Sequence, residues 1–170
     1  SHDSASPAHG QQVITACAFI HQEFDGVHKL FMPKRADSKA FLPGTFELPG
    51  GHVDFGEDIA AGLQREIMEE FGMTITVGDP FGSFTYTNEV KGSHSVQVTY
   101  FAQFTNPIEA ITLDPEDHSA FDWFAEEDVI LRRTEIVSED MMDPTIGTDP
   151  QYLDVLRGFA LLKGEKINFG

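Results

Sequence analysis

Residues 51–73 read GHVDFGEDIAAGLQREIMEEFGM, and the rest of the chain is best read outward from them. Ile59, Leu63, Ile67 and Phe71 recur every fourth residue, the spacing of an apolar helix face turned toward a core. Gly72 supplies the left-handed residue that commonly closes such a helix. Glu66, Glu69 and Glu70 stand at i, i+3 and i+4 and therefore share a face. Like charges so placed repel by roughly a few tenths of a kcal/mol per pair on an exposed helix. A bound divalent cation would offset that repulsion. A solvated acidic face is the plainer alternative, since charge runs usually face water.

Upstream, Gln12 to Ile20 (QVITACAFI) is an apolar, β-rich run and reads as a central strand. Phe24-Asp25-Gly26 is a turn, and His28 to Met32 is the return strand of a hairpin, ended by Pro33 because proline cannot donate to a ladder. The basic pair Lys34-Arg35 is either a loop edge or an aid to phosphate binding. Phe41 to Gly44 is a turn, and Thr45 to Leu48 is a short strand feeding a Pro49-Gly50-Gly51 turn. Downstream, Met73 to Val77 and Phe81 to Thr87 read as strands broken by Gly78-Asp79-Pro80. Asn88 to Ser93 is a hairpin loop, and Ser95 to Phe104 a long strand. Ile108 to Leu113 extends the sheet or forms its edge, Asp114 to His118 is an acidic loop, and Ala120 to Phe124 is a short strand. Ala125 to Leu131 opens a helix with Glu126, Glu127 and Asp128 in its favoured acidic first turn. After an irregular stretch from Thr134 to Thr148, Tyr152 to Lys163 is an amphipathic helix that packs on the sheet or on a partner subunit, the latter giving a homodimer. Strands around two or three helices suggest an α/β fold, a mixed sheet between helices.

The chain has 170 residues with 41% hydrophobic content and 15 Phe, enough for one domain with one core. Residues 1–10 read as a disordered lead without the basic and apolar regions of a signal peptide, and residues 11–170 as the domain. The net charge of −17 disfavours nucleic acid and anionic membrane as partners. It would also repel a phosphate-bearing substrate, a difficulty that bound metal ions relieve locally. The single cysteine, Cys17, sits in an apolar run as a buried thiol, which fits a reducing, cytoplasmic setting. No apolar run approaches the roughly 20 residues of a membrane span.

The chemistry comes from donor types. Backbone carbonyls at Gly50-Gly51 can approach an ion closely because no Cβ intervenes. The carboxylates of Glu66, Glu69 and Glu70 are hard oxygen donors, suited to Mg2+ or Mn2+ with coordination positions left for water and phosphate. Arg65 lies about 100° round the helix from Glu66 and reads as its anchor or as a partner of a neighbouring carboxylate. Glu57, roughly 13 Å before Glu66 on an ideal helix, is a structural acid paired with Arg65, a supporting group, or an acid favoured by the helix dipole.

Gly51, five residues, Glu57, seven residues, then Arg65-Glu66-Ile67-Met68-Glu69-Glu70-Phe71-Gly72-Met73 resemble the Nudix box, G-x5-E-x7-R-E-U-x-E-E-x-G-U, with every fixed position filled. FELPGGHVDFGE and AFDWFAEEDV are similar to the segments that flank the box in that family. The resemblance implies a Nudix-type α/β/α sandwich and a hydrolase that cuts a phosphoanhydride in a nucleoside diphosphate linked to another moiety, releasing a nucleoside monophosphate. It implies that Gly51, Glu66, Glu69 and Glu70 hold Mg2+ or Mn2+, and that Glu66, Arg65 and Glu69 carry catalysis, with Glu66 orienting or deprotonating water. Glu57 and Gly72 fall to the frame. Glu116, in the later acidic loop, is a candidate further metal ligand or base. Phe84, Tyr86 and Asn88 are candidate contacts for base or sugar, against a plain packing role. His118 carries a rival reading, since DPEDHSAFDWF resembles a loop of GDP-mannose mannosyl hydrolases in which a histidine is the base for attack at sugar carbon. That subgroup has a degenerate box, and this box is complete. A non-catalytic nucleotide-binding module would be expected to have lost box carboxylates.

Overall fold

The computed structural model describes residues 9–165. Residues 1–8 of the expected lead and 166–170 of the expected domain lie outside the described residues. Gly10 is tied down by its N–H, which donates to the Gly92 carbonyl at 2.8 Å.

Strand β1 (Gln12–Phe24) organises the molecule. Its side chains alternate, as strand geometry requires. Cys17 and Phe19 enter one core, Ala16, Ala18 and Ile20 the other, and all five are buried. A strand buried on both faces reads as an unbroken apolar run, which is why this segment was legible from sequence. The other strands are β2 (Val27–Arg35), β3 (Gly50–His52), β4 (Ile75–Asn88), β5 (Ser93–Phe104) and β6 (His118–Phe124). The sheet order is β4-β5-β1-β2-β6, with β3 also on β1. β1 runs parallel to β5, Gln12 opposite His94 through Ile20 opposite Ala102. Its other edge is shared: Thr15 to Cys17 pair with β3, and His21 to Phe24 with β2. β1 thus changes partner between Cys17 and His21, from β3 to β2.

Helix α1 (Ile59–Phe71) lays Leu63, Ile67 and Phe71 on Ala16, Ala18 and Ile20. The Asp58 carboxylate accepts from Ala61 N–H at its start, and Gly72 closes it at φ 64°. Helices α2 (Glu126–Leu131), α3 (Arg133–Ile136) and α4 (Pro150–Leu162) cover the opposite face. There Phe159 meets Phe19 edge-on at 5.2 Å, a favoured aromatic geometry. The result is the expected α/β/α sandwich, and α4 docks on the sheet of its own chain.

Several boundaries differ from expectation. Pro33 does not end β2, which continues to Arg35 and pairs with β6. The Pro33 carbonyl accepts from Glu47 N–H at 3.0 Å. Carbonyl and nitrogen of one strand residue point to the same side, so the missing donor faces away from β6 and breaks no bond of that ladder. Thr45 to Leu48 forms only an isolated bridge, Phe46 to Lys34. Gly50-Gly51 is not a turn but the start of β3. Gly78-Asp79-Pro80 does not split β4; it shifts its register against β5, which an edge strand tolerates. Ile108 to Leu113 adds no strand and carries a short 3-10 turn instead. α4 begins at Pro150, N-capped by Asp149. No helix among the described residues is long and apolar enough to cross a membrane.

Candidate active site

Arg65 is the hub of the quoted stretch. Its Nε donates to Glu57 Oε2 at 2.8 Å and its second terminal nitrogen to Glu57 Oε1 at 3.0 Å. The same nitrogen donates to the His52 carbonyl at 3.1 Å. The first terminal nitrogen reaches Glu66 Oε1 at 3.1 Å and Glu69 at 3.3 Å. The two-point hydrogen bond from Arg65 draws the Glu57 carboxyl down to about 2. Glu57 precedes α1 rather than lying in it, so the loop folds back to bring it to Arg65. Gly62 permits this: a Cβ there would stand 2.7 Å from Glu57 Oε1.

The three helix glutamates do not share one environment. Glu66 and Glu70, one turn apart, are buried at 1% and 6% exposure, whereas the Glu69 side chain is 55% exposed beside Arg65. Among the described residues, no group of three or more His, Cys, Asp or Glu side chains stands in ion-holding geometry. Arg65 lies between Glu66 and Glu69 and takes their facing oxygens, which is why the expected convergence is not observed. The donor chemistry nevertheless suits a hard cation. Burial first, then the charges of Glu47, Glu66 and Asp117, pushes the Glu70 carboxyl well above its ordinary value. Two buried carboxylates one turn apart, Glu66 and Glu70, under further negative charge are an environment that Mg2+ or Mn2+ would relieve. Gly51 serves the same corner. Its neighbour across the ladder is Ala16, and a Cβ at Gly51 would come within 2.5 Å of the Glu66 carboxylate. Its lack of a side chain makes room for Glu66.

Other candidates are placed as follows. Glu116 is exposed and its N–H closes an Asp114 turn at 3.0 Å. The loop carboxylate whose charge reaches Glu70 is its neighbour Asp117, held by Lys39 Nζ at 2.7 Å. Asn88 is buried, and its Oδ1 accepts from Val90 and Lys91 N–H at 3.1 Å each, which shapes the β4–β5 hairpin. His118 is 2% exposed, hydrogen-bonded through Nε2 to Glu47 Oε2 at 2.9 Å and stacked on Phe71 at 5.2 Å. Phe84 and Tyr86 do line a cleft, together with Arg35, Phe41, Glu47 and Gln151. Tyr86 lies nearly parallel to Phe41, at 11° and 6.1 Å.

Sequence reasoning missed Glu47 and undervalued Arg35. Arg35 is in β2, 3% exposed, with Nε donating to the Phe41 carbonyl at 2.8 Å and a terminal nitrogen 3.4 Å from Glu47. Glu47 therefore joins Arg35, His118 and, through its charge, Glu70, linking the cleft to the helix acids. The available signal was a lone glutamate in FELPGG and an arginine directly after an apolar strand.

The NUDIX domain family profile matches residues 12–143. A MutT-like protein of Streptomyces ambofaciens is 26% identical over 122 residues, 72% of this chain and 71% of that one. The nucleoside triphosphatase NudI of Salmonella newport is 36% identical over 81 residues, 48% of this chain and 54% of its own length, so the chain spans about half of that relative. Among solved structures, a MutT NUDIX hydrolase from Burkholderia pseudomallei is 29% identical at a TM-score of 0.58, over 69% of this chain and 86% of that one. A C. elegans Ap4A hydrolase binary complex matches at a TM-score of 0.65 and 24% identity, over 89% and 98%, a likeness of fold.

Proposed function

The chain belongs to the NUDIX domain family of hydrolases, and from that premise we propose that it is a Mg2+- or Mn2+-dependent pyrophosphohydrolase. Its substrate is a nucleoside diphosphate linked to a further moiety, cut at a phosphoanhydride to release a nucleoside monophosphate. The observation that carries this reading is the buried pair Glu66 and Glu70, framed by Arg65 and joined through Glu47 to an aromatic cleft. Glu66, Glu69 and Glu70 would hold the ion. When bound, it would lower the pKa of an attacking water and neutralise phosphate charge. Glu66 orients that water, Arg65 fixes the Glu66 carboxylate, and Arg35 sets a cation beside the cleft where phosphate oxygens pass. Most of the rate enhancement then comes from positioning and charge stabilisation. The proposed setting is the cytoplasm, with a small nucleotide as partner and neither nucleic acid nor membrane; the charge of −17 supports the exclusion of nucleic acid and anionic membrane.

The test is hydrolysis of nucleoside triphosphates, sugar nucleotides and dinucleotides with Mg2+, with both products identified. Glu66→Gln and Glu69→Gln should each lower turnover by about 100-fold or more, with unchanged folding, and chelation should abolish it. Near wild-type rates in both variants at saturating Mg2+ would sink the assignment. Release of free sugar and nucleoside diphosphate would instead support attack at sugar carbon. The burial of His118 against Glu47 and Phe71 speaks against that outcome.

A further inference from the structure

A groove of about 430 Å³ runs between the edge strand β4 and the first half of α4, the size of a small-ligand site. A second hollow of about 210 Å³ continues it past Thr85 and Asp143, which line both. Phe84 lines both the groove and the crevice of Arg35 and Glu47, so the groove adjoins the residues that lead to the helix acids. Asp154 of α4 stands in its wall, 7% exposed. Its carboxylate rests on the Gly82–Thr99 pair of β4 and β5. Thr99 Oγ1 donates to Oδ2 at 2.7 Å. Oδ1 lies against Gly82, where a Cβ would stand 2.6 Å away, and takes no hydrogen bond among the described residues. A buried acceptor without a donor bears a desolvation penalty, and this one lines an open groove that can bring it a donor. Asp143 repeats the pattern across the groove. Its Oδ1 accepts from Thr145 N–H at 2.8 Å and from Thr145 Oγ1 at 2.6 Å, which leaves Oδ2 to a ligand. Asp140 and Glu89 border the second hollow, and Arg157 alone is cationic among the described residues that line the two.

Such a groove accepts hydrogen bonds and repels anions. A nucleobase is held by apolar and aromatic walls, whereas the walls here are mainly polar, with Ser83 and Thr85 beside the two carboxylates. Resting on the nucleotide-hydrolase reading above, we propose that this groove binds the sugar of a nucleoside diphosphate sugar, Asp154 Oδ1 and Asp143 Oδ2 accepting from its hydroxyls. Water then adds OH to one phosphorus and H to the bridging oxygen as the P–O–P link breaks, giving a nucleoside monophosphate and a sugar 1-phosphate. A nucleoside triphosphate sets its terminal phosphate against the same acids, which disfavours it.

The experiment measures kcat/KM with Mg2+ for UDP-glucose against UTP, GDP-mannose against GTP and ADP-ribose against ATP, in the wild type, Asp154→Asn and Asp143→Asn. A shared base within each pair leaves the terminal group as the variable. Each variant keeps the oxygen that accepts from Thr99 or Thr145 and replaces the other with –NH2. The expected result is a wild-type preference of about tenfold or more for the sugar nucleotide in at least one pair. In the variants that ratio falls by about tenfold, the effect of losing one charge-assisted hydrogen bond, mainly through KM for the sugar nucleotide. Triphosphates preferred in every pair, or a ratio unmoved in both variants, overturns the proposal. If Asp154→Asn does not fold, Asp143→Asn decides. If nothing is cleaved, the hydrolase reading fails, and calorimetric titration without metal then decides the groove. A sugar nucleotide that binds more tightly than UDP, GDP or ADP of the same base, with the difference lost in Asp143→Asn, supports it. Equal or weaker binding of every sugar nucleotide overturns it.

Discussion

Arg65 donates to Glu57, Glu66, Glu69 and the His52 carbonyl, and no other side-chain type could do this. Guanidinium is planar, with five donors in a fixed fork; an ammonium keeps the charge but loses the two-point grip on Glu57. Arg65→Lys should therefore lower kcat/KM by roughly 10–100-fold, the usual effect of losing a group that orients a ligand-bearing carboxylate. The thermal midpoint should move little, because the cluster sits at the helix surface. Glu57→Gln should act in the same direction. The double variant should lose less than the sum of the two, as residues in one network do; full additivity would show that Glu57 acts independently. Glu57, held down to about 2, stays ionised through neutral pH. The acid limb of a pH–rate profile accordingly belongs to Glu70, whose carboxyl burial pushes up.

At the scale of elements, α4 shows how an N-cap couples to pH. Asp149 accepts from Gln151 N–H at 2.8 Å, and Pro150 takes the first helical position, where its missing N–H breaks no helical bond. The Asp149 carboxylate is buried, and burial lifts it from the ordinary 3.8 to about 6 against the opposing hydrogen bonds from Gln151 and Ser138. For an acid raised in the folded state, the folded form binds the proton more tightly than the unfolded form. This contribution to stability is full below about pH 4 and lost as pH rises through about 6. Integrated over that window, it amounts to at most about 3 kcal/mol. Asp149→Asn keeps the capping oxygen, since Asn and Asp cap about equally well, and removes the titration. The variant should gain on the wild type in denaturant midpoint as pH rises from 4 to 7. Parallel curves over that range would mean that Asp149 titrates normally.

At the scale of the whole molecule, 28 acidic against 11 basic residues set a negative field that a polyphosphate must cross. Ionic strength screens this field, the Debye length falling from about 30 Å at 0.01 M to about 8 Å at 0.15 M. KM for a nucleoside triphosphate at fixed saturating Mg2+ should fall severalfold over that range. A KM that rises with salt would show that local cations such as Arg35, rather than the net charge, govern capture. The same scale explains the limits of reading the chain. The helix from Ile59 to Phe71, its acids and its Gly72 cap were legible because their signals are local: a repeat of about four residues, charges one turn apart, and a backbone angle that glycine adopts readily. β1 was legible because helices on both faces leave an unbroken apolar run. The pairing of Glu57 with Arg65 was legible as one alternative among three. Nothing local indicates that Glu66 and Glu70 turn inward while Glu69 faces solvent; that depends on where the sheet lies. Nor could local pattern show that Arg35 and Glu47, twelve residues apart, meet His118 and face Gln97 and Tyr86 across a cleft. The sequence by itself determined the sandwich, the acidic helix and the donor chemistry, because periodicity and residue type act over short distances. Only the tertiary structure decided which carboxylates are buried together and which donors line the cleft. Those facts arise from strands remote in sequence packing side by side, and burial and mutual charge exist only once they do.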